Sequence, residues 1–437
     1  MNVAFYTLGC KVNHYETQAM AGLFEDAGYS IVPFGSRADV YIVNTCTVTA
    51  TGDQKSRQIL QRAHRRNPDA LIVAAGCYAQ VSPNEVSALP GVSLLVGQDG
   101  RSRIVSLVEQ ALASRAGGKT PLIAVPDMAR VTAFDTLSAV RDGRTRATLK
   151  IQDGCRNFCT YCIIPYARGL LRSRPMADIE RQLRLLADEG FLEVVLTGIH
   201  LASYGLDFPP EQRADLLDAL RLACSVPGIA RVRLGSLEPG FVDDRFVSAC
   251  AALPALCRQF HLSLQSGSDT VLARMNRRYT TAEYARAVAL LREAMPDCAI
   301  TTDVIAGFPG ETEREHAESL AFVEQMAFSR IHVFPYSRRS GTAAARMPGQ
   351  LPNAVKQARA RAMIALGEAL EREYLAGMVG RTVTVLVERS GEGYSGNYIR
   401  IKTNGSDGAL ITCRITSVEN DIAYGEETKA DGSLYLL

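Results

Sequence analysis

The 437-residue sequence has no apolar run close to the roughly 18–20 residues that cross a bilayer as a helix. No helical membrane anchor is therefore expected. The start, "MNVAFYTLGCKVNHYET", lacks a basic n-region, a long apolar h-region and a small-residue cleavage site, so no secretory signal is expected either. Internal repeats and low-complexity tracts are missing. So is an excess of one charge sign: 48 Lys and Arg against 46 Asp and Glu leave +2, which alone selects no partner. What the chain does have is cysteine. Eleven is an odd count in a chain long enough to build its cores without disulfide staples. Reduced, cytoplasmic thiols available to metal or catalysis fit that pattern; a secreted disulfide scaffold does not.

Length predicts two to four domains. Residues 1–115 alternate strand and helix patterns. "VAFYTL", a short run at Ser30–Phe34, "VYIVNT", "LIVAAG" and "SLLVG" read as buried strands. Such apolar runs between helices predict a flavodoxin-like, doubly wound parallel sheet. Residues 116–145, with "GGKTP" and "RDGR", read as a linker. Over 146–350 six further strand runs alternate with helices, which predicts a partial (β/α)6 barrel; eight units would need more chain. Residues 351–377 read as one long helix. Residues 378–437 hold short β runs, among them "SLYLL", and predict a small all-β barrel.

The cysteines fall at chosen places in this α/β plan. Cys10, Cys46 and Cys77 each follow a strand of the first sheet. In strand order 2-1-3-4-5 those strands are neighbours, and their C-terminal ends meet at the edge where open sheets bind ligands. Three thiolates there would make a metal or cluster site; three unrelated core cysteines is the plainer alternative. The stretch "GCRNFCTYCIIPYARG" puts Cys155, Cys159 and Cys162 after the first strand of the barrel. Structural zinc wants four protein ligands. No fourth Cys or His lies near this loop, and His200 and Cys224 are distant in sequence. An iron–sulfur cluster held by three thiolates leaves one iron open instead. The other cysteines (224, 250, 257, 298 and 413) are isolated and read as structural.

This C-x3-C-x2-C loop, with Tyr161 before its last cysteine, resembles the radical S-adenosylmethionine superfamily. Together "TLGCKVNHYE", "NTCTVT", "GCYAQ", "HLSLQSGSD" and "DVIAGFPGET" resemble the methylthiotransferases over essentially the whole chain, with a C-terminal domain similar to the RNA-binding TRAM module. The resemblance implies a [4Fe–4S] cluster on Cys155, Cys159 and Cys162 whose open iron binds S-adenosylmethionine. It implies a second [4Fe–4S] cluster on Cys10, Cys46 and Cys77. The motifs "TLGCKVN" and "NTCTVT" look most like the branch acting on threonylcarbamoyladenosine in tRNA. Implied partners are tRNA, a sulfur source and an electron donor such as flavodoxin or ferredoxin; the oligomeric state is open, with a monomer as the default expectation.

That chemistry explains the parts. Adenine C2 carries an unactivated C–H that no side-chain base can deprotonate near neutral pH. Radical abstraction and a second sulfur-bearing site are the plausible route. The resemblance assigns cofactor contacts to Tyr161, Gly198 and His200 in "TGIH", Glu238, Gln265 and Asp303, and no catalytic side chain beyond the cluster ligands. "TGIH" could equally be a plain turn needing only a permissive Gly198, "GFPGE" a tight turn, and Asp153 a loop-shaping residue. Local charge is uneven. Residues 54–68 hold five Lys or Arg, 154–177 four and 328–367 seven, all without an acid, which suits a phosphate backbone or a solvated helix face. From Met378 onward six Lys or Arg face eight Asp or Glu. RNA contact there would need Arg381, Arg389, Arg400, Lys402 and Arg414 on one face, with Tyr394 and Tyr398 free to stack. Other substrates within the same chemistry are isopentenyladenosine in tRNA or an aspartate of a ribosomal protein. A zinc-stabilised, non-catalytic RNA-binding protein is the alternative from another class.

Overall fold

The computed structural model describes residues 1–114, 121–138 and 145–428. The first sheet has six parallel strands in the order Ser30–Val32, Asn2–Thr7, Val40–Thr45, Leu71–Gly76, Val92–Val96, Leu122–Ala124. The expected order 2-1-3-4-5 is present. Val40–Thr45 and Leu71–Gly76 are buried along their whole length, as parallel strands covered on both faces must be. A sixth strand, Leu122–Ala124, lies inside the stretch expected to be a linker. Only three residues long, it offered no readable pattern. "GGKTP" (except Pro121) and "RDGR" lie outside the described residues.

The barrel is built from two abutting parallel sheets. One orders Arg231–Leu234, Glu193–Thr197 and Arg146–Lys150; the other orders Ser236–Leu237, Gln259–Leu262, Ala299–Ala306 and Arg330–Pro335. The third strand breaks at Gly235 and joins both, so the six expected units form one open barrel. Its connecting helices start on side-chain caps: the Thr280/Glu283 and Thr312/Glu315 pairs each satisfy two orphan donors reciprocally.

The first domain and the barrel share a core. Tyr15 and Ala19 on helix Lys11–Asp26 pack into the barrel cluster, and so does Leu137 from the segment joining the two. Behind the cysteine loops lies a buried ion network. Glu16 takes Arg101 (3.1 Å), Lys150 (3.0 Å) and Arg168 (2.8 Å). Asp153 takes Lys150 (3.0 Å), Arg168 (3.1 Å) and Arg172 (3.6 Å). Asp153 thus does more than shape its loop: it anchors the barrel end of a lock whose other end is Glu16.

The long helix runs Asn353–Ala376 and leads into a closed five-stranded barrel. Two of its strands, Glu392–Ser395 and Ile422–Glu427, were not anticipated, because acidic and glycine residues hide their alternation. "SLYLL" lies outside the described residues. Arg231 and Arg233 fix this domain on the central barrel by donating to the carbonyls of Tyr394 (3.0 Å) and Ser395 (3.0 Å).

Candidate functional site

Cys10 caps helix Lys11–Asp26, Cys46 follows Val40–Thr45, and Cys77 opens the short helix Cys77–Val81. The three strand ends are adjacent, as expected. Gly9 sits at φ 104°, and a Cβ there would meet Cys46 Cβ at 3.0 Å, so these two loops touch. Asn13 ties them to the barrel. Its amide donates to Leu8 O (2.8 Å) and Thr45 O (3.1 Å), and its carbonyl oxygen accepts from Arg168 (2.8 Å). Gln98 Nε2 lies 3.1 Å from Cys77 Sγ, and Arg101 holds Gln98 through its carbonyl at 2.9 Å. Burial pushes the Cys77 thiol up to about 12 and raises that of Cys46.

Cys155, Cys159 and Cys162 line a cavity of about 630 Å³. Tyr161, Gly198, His200, Glu238, Gln265 and Asp303 line the same cavity, and so does Cys10 from the first domain. Cys46 and Cys77 stand behind Cys10, off the cavity wall. Two smaller cavities, of about 270 and 220 Å³, hold none of the six cysteines. Among the described residues no group of three His, Cys, Asp or Glu side chains is drawn into metal-binding geometry.

The polar residues on the cavity wall are tightly held. Glu238 accepts from Asn157 (2.9 Å) and pairs with His200 (2.9 Å) and Arg277 (3.0 Å). Burial pushes its pKa up, but the His200 hydrogen bond and Arg277 outweigh it and hold the carboxyl below its usual range. Arg277 Nη1 also lies 3.3 Å from Cys159 Sγ. Asp303 pairs with His261 at 3.1 Å. Gln265 adopts φ 68° and is pinned by backbone bonds to Asp303 O and from Ile305 N. Gly198 is needed for closeness, not for an unusual backbone. A Cβ there would fall 2.9 Å from both Cβ and Oε1 of Gln152, the side chain that accepts the His200 N–H at 2.6 Å. "GFPGE" is a turn closed by Glu311, whose carboxylate accepts from Gly307 N and Phe308 N. Burial pushes the Cys162 thiol up to about 12.

In the C-terminal domain the five cations do not gather on one face. Tyr394 and Tyr398 stack on each other at 5.0 Å and are covered by Arg146, while Arg233 lies over Tyr398. Tyr398 lines the cavity. Arg414 pairs across from Thr382 beside Arg381, whereas Arg389 and Lys402 flank Glu392, which also takes Arg400, at the far end of that strand, so the five cations fall in two groups. Sequence reading also missed Arg277, Gln98 and Lys11, none of which carries a local signal. Burial, then Arg233 and Arg146, hold the Lys11 ammonium below its ordinary pKa despite the opposing Tyr398.

The donor set fits thiolate-bound iron–sulfur groups better than zinc. Each set offers three thiols. His200 is engaged by Glu238, Asn157 and Ser203, and Cys224 lies on a helix away from the cavity. The network behind Cys77 holds four cations against two carboxylates, and Nε of Arg101 and of Arg168 are buried without a hydrogen-bond partner. Such surplus positive charge suits an anionic thiolate cluster.

The comparisons with known proteins agree. A family model described as Radical SAM superfamily matches residues 149–323, and one described as Uncharacterized protein family UPF0004 matches residues 2–97. The solved radical S-adenosylmethionine methyltransferase TsrM of Kitasatospora setae superposes with a TM-score of 0.59 over 78% of this chain and 76% of its own, at 18% identity, which shows the fold. Fold and cysteine loop thus define a radical S-adenosylmethionine enzyme, a class that uses S-adenosylmethionine and [4Fe–4S] clusters. Threonylcarbamoyladenosine tRNA methylthiotransferase MtaB of Bacillus subtilis is 44% identical over 94% of this chain and 93% of its own. The tRNA-2-methylthio-N(6)-dimethylallyladenosine synthase of Mycobacteroides abscessus is 36% identical over 93% of this chain and 81% of its own. The chain belongs to the tRNA methylthiotransferase family of enzymes. The non-catalytic zinc reading falls with that finding. Among the described residues no helix is long and apolar enough to cross a membrane.

Proposed function

We propose that this enzyme methylthiolates C2 of the adenine in N6-threonylcarbamoyladenosine, next to the anticodon of tRNA, using two [4Fe–4S] clusters and S-adenosylmethionine. The observation that carries the reading is the shared cavity: Cys10 from one thiol set and Cys155, Cys159 and Cys162 from the other open onto the same space. The likeness to the Bacillus subtilis enzyme, which is named for this substrate, supports the choice of nucleoside.

Bound to these thiols, the clusters with S-adenosylmethionine supply one-electron chemistry for an unactivated C–H and a place to carry sulfur. The chain's residues do the rest. Cys155, Cys159 and Cys162 hold one cluster, and Cys10, Cys46 and Cys77 the other. Gln98 and Arg277 donate to sulfur at Cys77 and Cys159 and stabilise the thiolate form. Gly198 and the His200 loop receive the methionine moiety over Gln152. Glu238 accepts from sugar hydroxyls, held in place by Arg277. Gln265 and Asp303 complete the wall, with Tyr161 packed beneath the loop. The enzyme works in the cytoplasm as a monomer and draws electrons from a flavodoxin or ferredoxin and sulfur from a separate donor.

Deleting the gene tests the substrate. The tRNA should lose 2-methylthio-threonylcarbamoyladenosine and accumulate threonylcarbamoyladenosine, while ribosomal protein masses stay unchanged. Persistence of the methylthio nucleoside would overturn the assignment.

A further inference from the structure

Among the described residues, most charged groups around the cavity have an opposite partner. Glu238 is met by His200 and Arg277, and Asp303 by His261. Among the cations, Arg146 is met by Glu388 at 2.5 Å and Arg233 by Glu193 at 2.9 Å. Arg330 holds Glu371 only loosely, at 3.6 Å, and remains half-exposed. Lys11 lines the cavity and has no carboxylate within ion-pair distance among the described residues; its ammonium lies 6.0 Å from the Tyr398 ring centroid. Lys11 and Arg330 both face His332, which Asp303 also faces, and Lys11 lies beside Tyr398, so this end of the cavity carries two cations and draws on all three domains.

This end offers a site for an anion. Lys11 follows Cys10 and lies beside the Tyr398 ring, whereas His200 and Glu238, assigned to S-adenosylmethionine, bond Asn157 in the loop of Cys155, Cys159 and Cys162. The walls beside it carry Gln259, Thr301 and His261, which suit a polar organic group inside the cavity rather than a phosphate chain running across the surface. Threonine joined to adenine N6 through a carbonyl on its amine keeps a free carboxylate, whereas a dimethylallyl group is neutral and apolar.

We infer that Lys11, supported by Arg330 and Tyr398, binds the carboxylate of the amino-acid substituent on the target adenine and so selects a threonylcarbamoyl over a prenyl group. This rests on the proposed substrate and names the residues that recognise it. One charge-assisted contact is worth about tenfold or more in affinity.

The test is binding of anticodon stem-loops to the reconstituted holoenzyme. Four loops are compared: threonylcarbamoylated, its carboxylate methyl ester, prenylated and unmodified. Wild type should prefer the free acid over the ester by about tenfold or more. Lys11→Gln should abolish that preference with unchanged iron content and unchanged affinity for the unmodified loop and for S-adenosylmethionine. Lys11→Arg should retain it, and Tyr398→Phe should weaken it. An undiminished preference in Lys11→Gln overturns the inference alone. Equal weakening for all four loops, or loss of S-adenosylmethionine binding, overturns it in favour of a phosphate or cofactor contact. A wild-type enzyme that does not prefer the threonylcarbamoylated loop to the prenylated one overturns the substrate reading, and the inference with it.

Discussion

Glu16→Gln should cost this protein more stability than almost any other conservative change. Glu16 is fully buried, and its two oxygens serve Arg101 (3.1 Å), Lys150 (3.0 Å) and Arg168 (2.8 and 3.0 Å). The network holds four cations and two carboxylates. The substitution leaves Arg101, Lys150, Arg168 and Arg172 facing Asp153 alone. Removing one partner of a buried ion pair costs about 3–5 kcal/mol. At about 2–4 °C per kcal/mol for a domain of this size, the midpoint should fall by roughly 6–20 °C. The pH dependence gives a second handle. Its cations outweigh burial and hold the Glu16 carboxyl at about 2, against 4.5 ordinarily. A depressed pKa contributes stability that is fully present above the unfolded value and is lost as pH falls through the folded value. The gap between wild type and variant should therefore be constant above about pH 4.5 and shrink toward pH 2. Urea unfolding followed by circular dichroism across that range measures both. A loss below about 1 kcal/mol, the size of an exposed pair, or a gap independent of pH would refute the reasoning.

Other consequences are equally checkable. A Cys10/Cys46/Cys77 triple alanine variant should hold about four irons per chain after anaerobic reconstitution where wild type holds about eight; zinc with no iron would contradict both cluster assignments. Iron loading should speed up from pH 7 to 9, because burial pushes Cys77 and Cys162 up to about 12 and the ligands must lose protons. A pH-independent rate would show that thiol ionisation does not limit assembly. Gly198→Ala drives a methyl into Gln152 and should weaken S-adenosylmethionine binding about tenfold at unchanged iron content, a loss of about 1.4 kcal/mol. Equilibrium dialysis with the labelled cofactor reads this directly.

Much of the fold was legible because its strands are short apolar runs between amphipathic helices. Val40–Thr45 and Leu71–Gly76 announce a parallel sheet by burying every residue. Cys10, Cys46 and Cys77 were legible as neighbours because strand order brings their loops together, while Cys155, Cys159 and Cys162 stand out by their spacing in a single loop. What joins the domains was not. Glu16 and Arg168 are 152 positions apart, and no local pattern links an acid on one helix to an arginine after a cysteine loop. Arg277 was hidden for the same reason: it reaches Cys159 from a loop 118 residues away. For Tyr398 the sequence left open a stacking surface or a packed aromatic, because only docking of the C-terminal barrel shows its ring covered by Arg146 and Arg233. Gly198 was singled out through the "TGIH" motif, but its close packing on Gln152 leaves no mark in sequence.

The central claim is that both thiol sets serve one substrate in one cavity. Turnover of defined stem-loops tests it most directly. Anaerobically reconstituted enzyme, S-adenosylmethionine, a reductant and a sulfur donor are mixed with loops carrying threonylcarbamoyladenosine or prenylated adenosine, and the digested nucleosides are weighed by mass spectrometry. The account predicts a 2-methylthio product on the threonylcarbamoylated loop only, lost when either set of three cysteines is replaced by alanine. A methylthio product on the prenylated loop, or full activity without Cys10, Cys46 and Cys77, would contradict it.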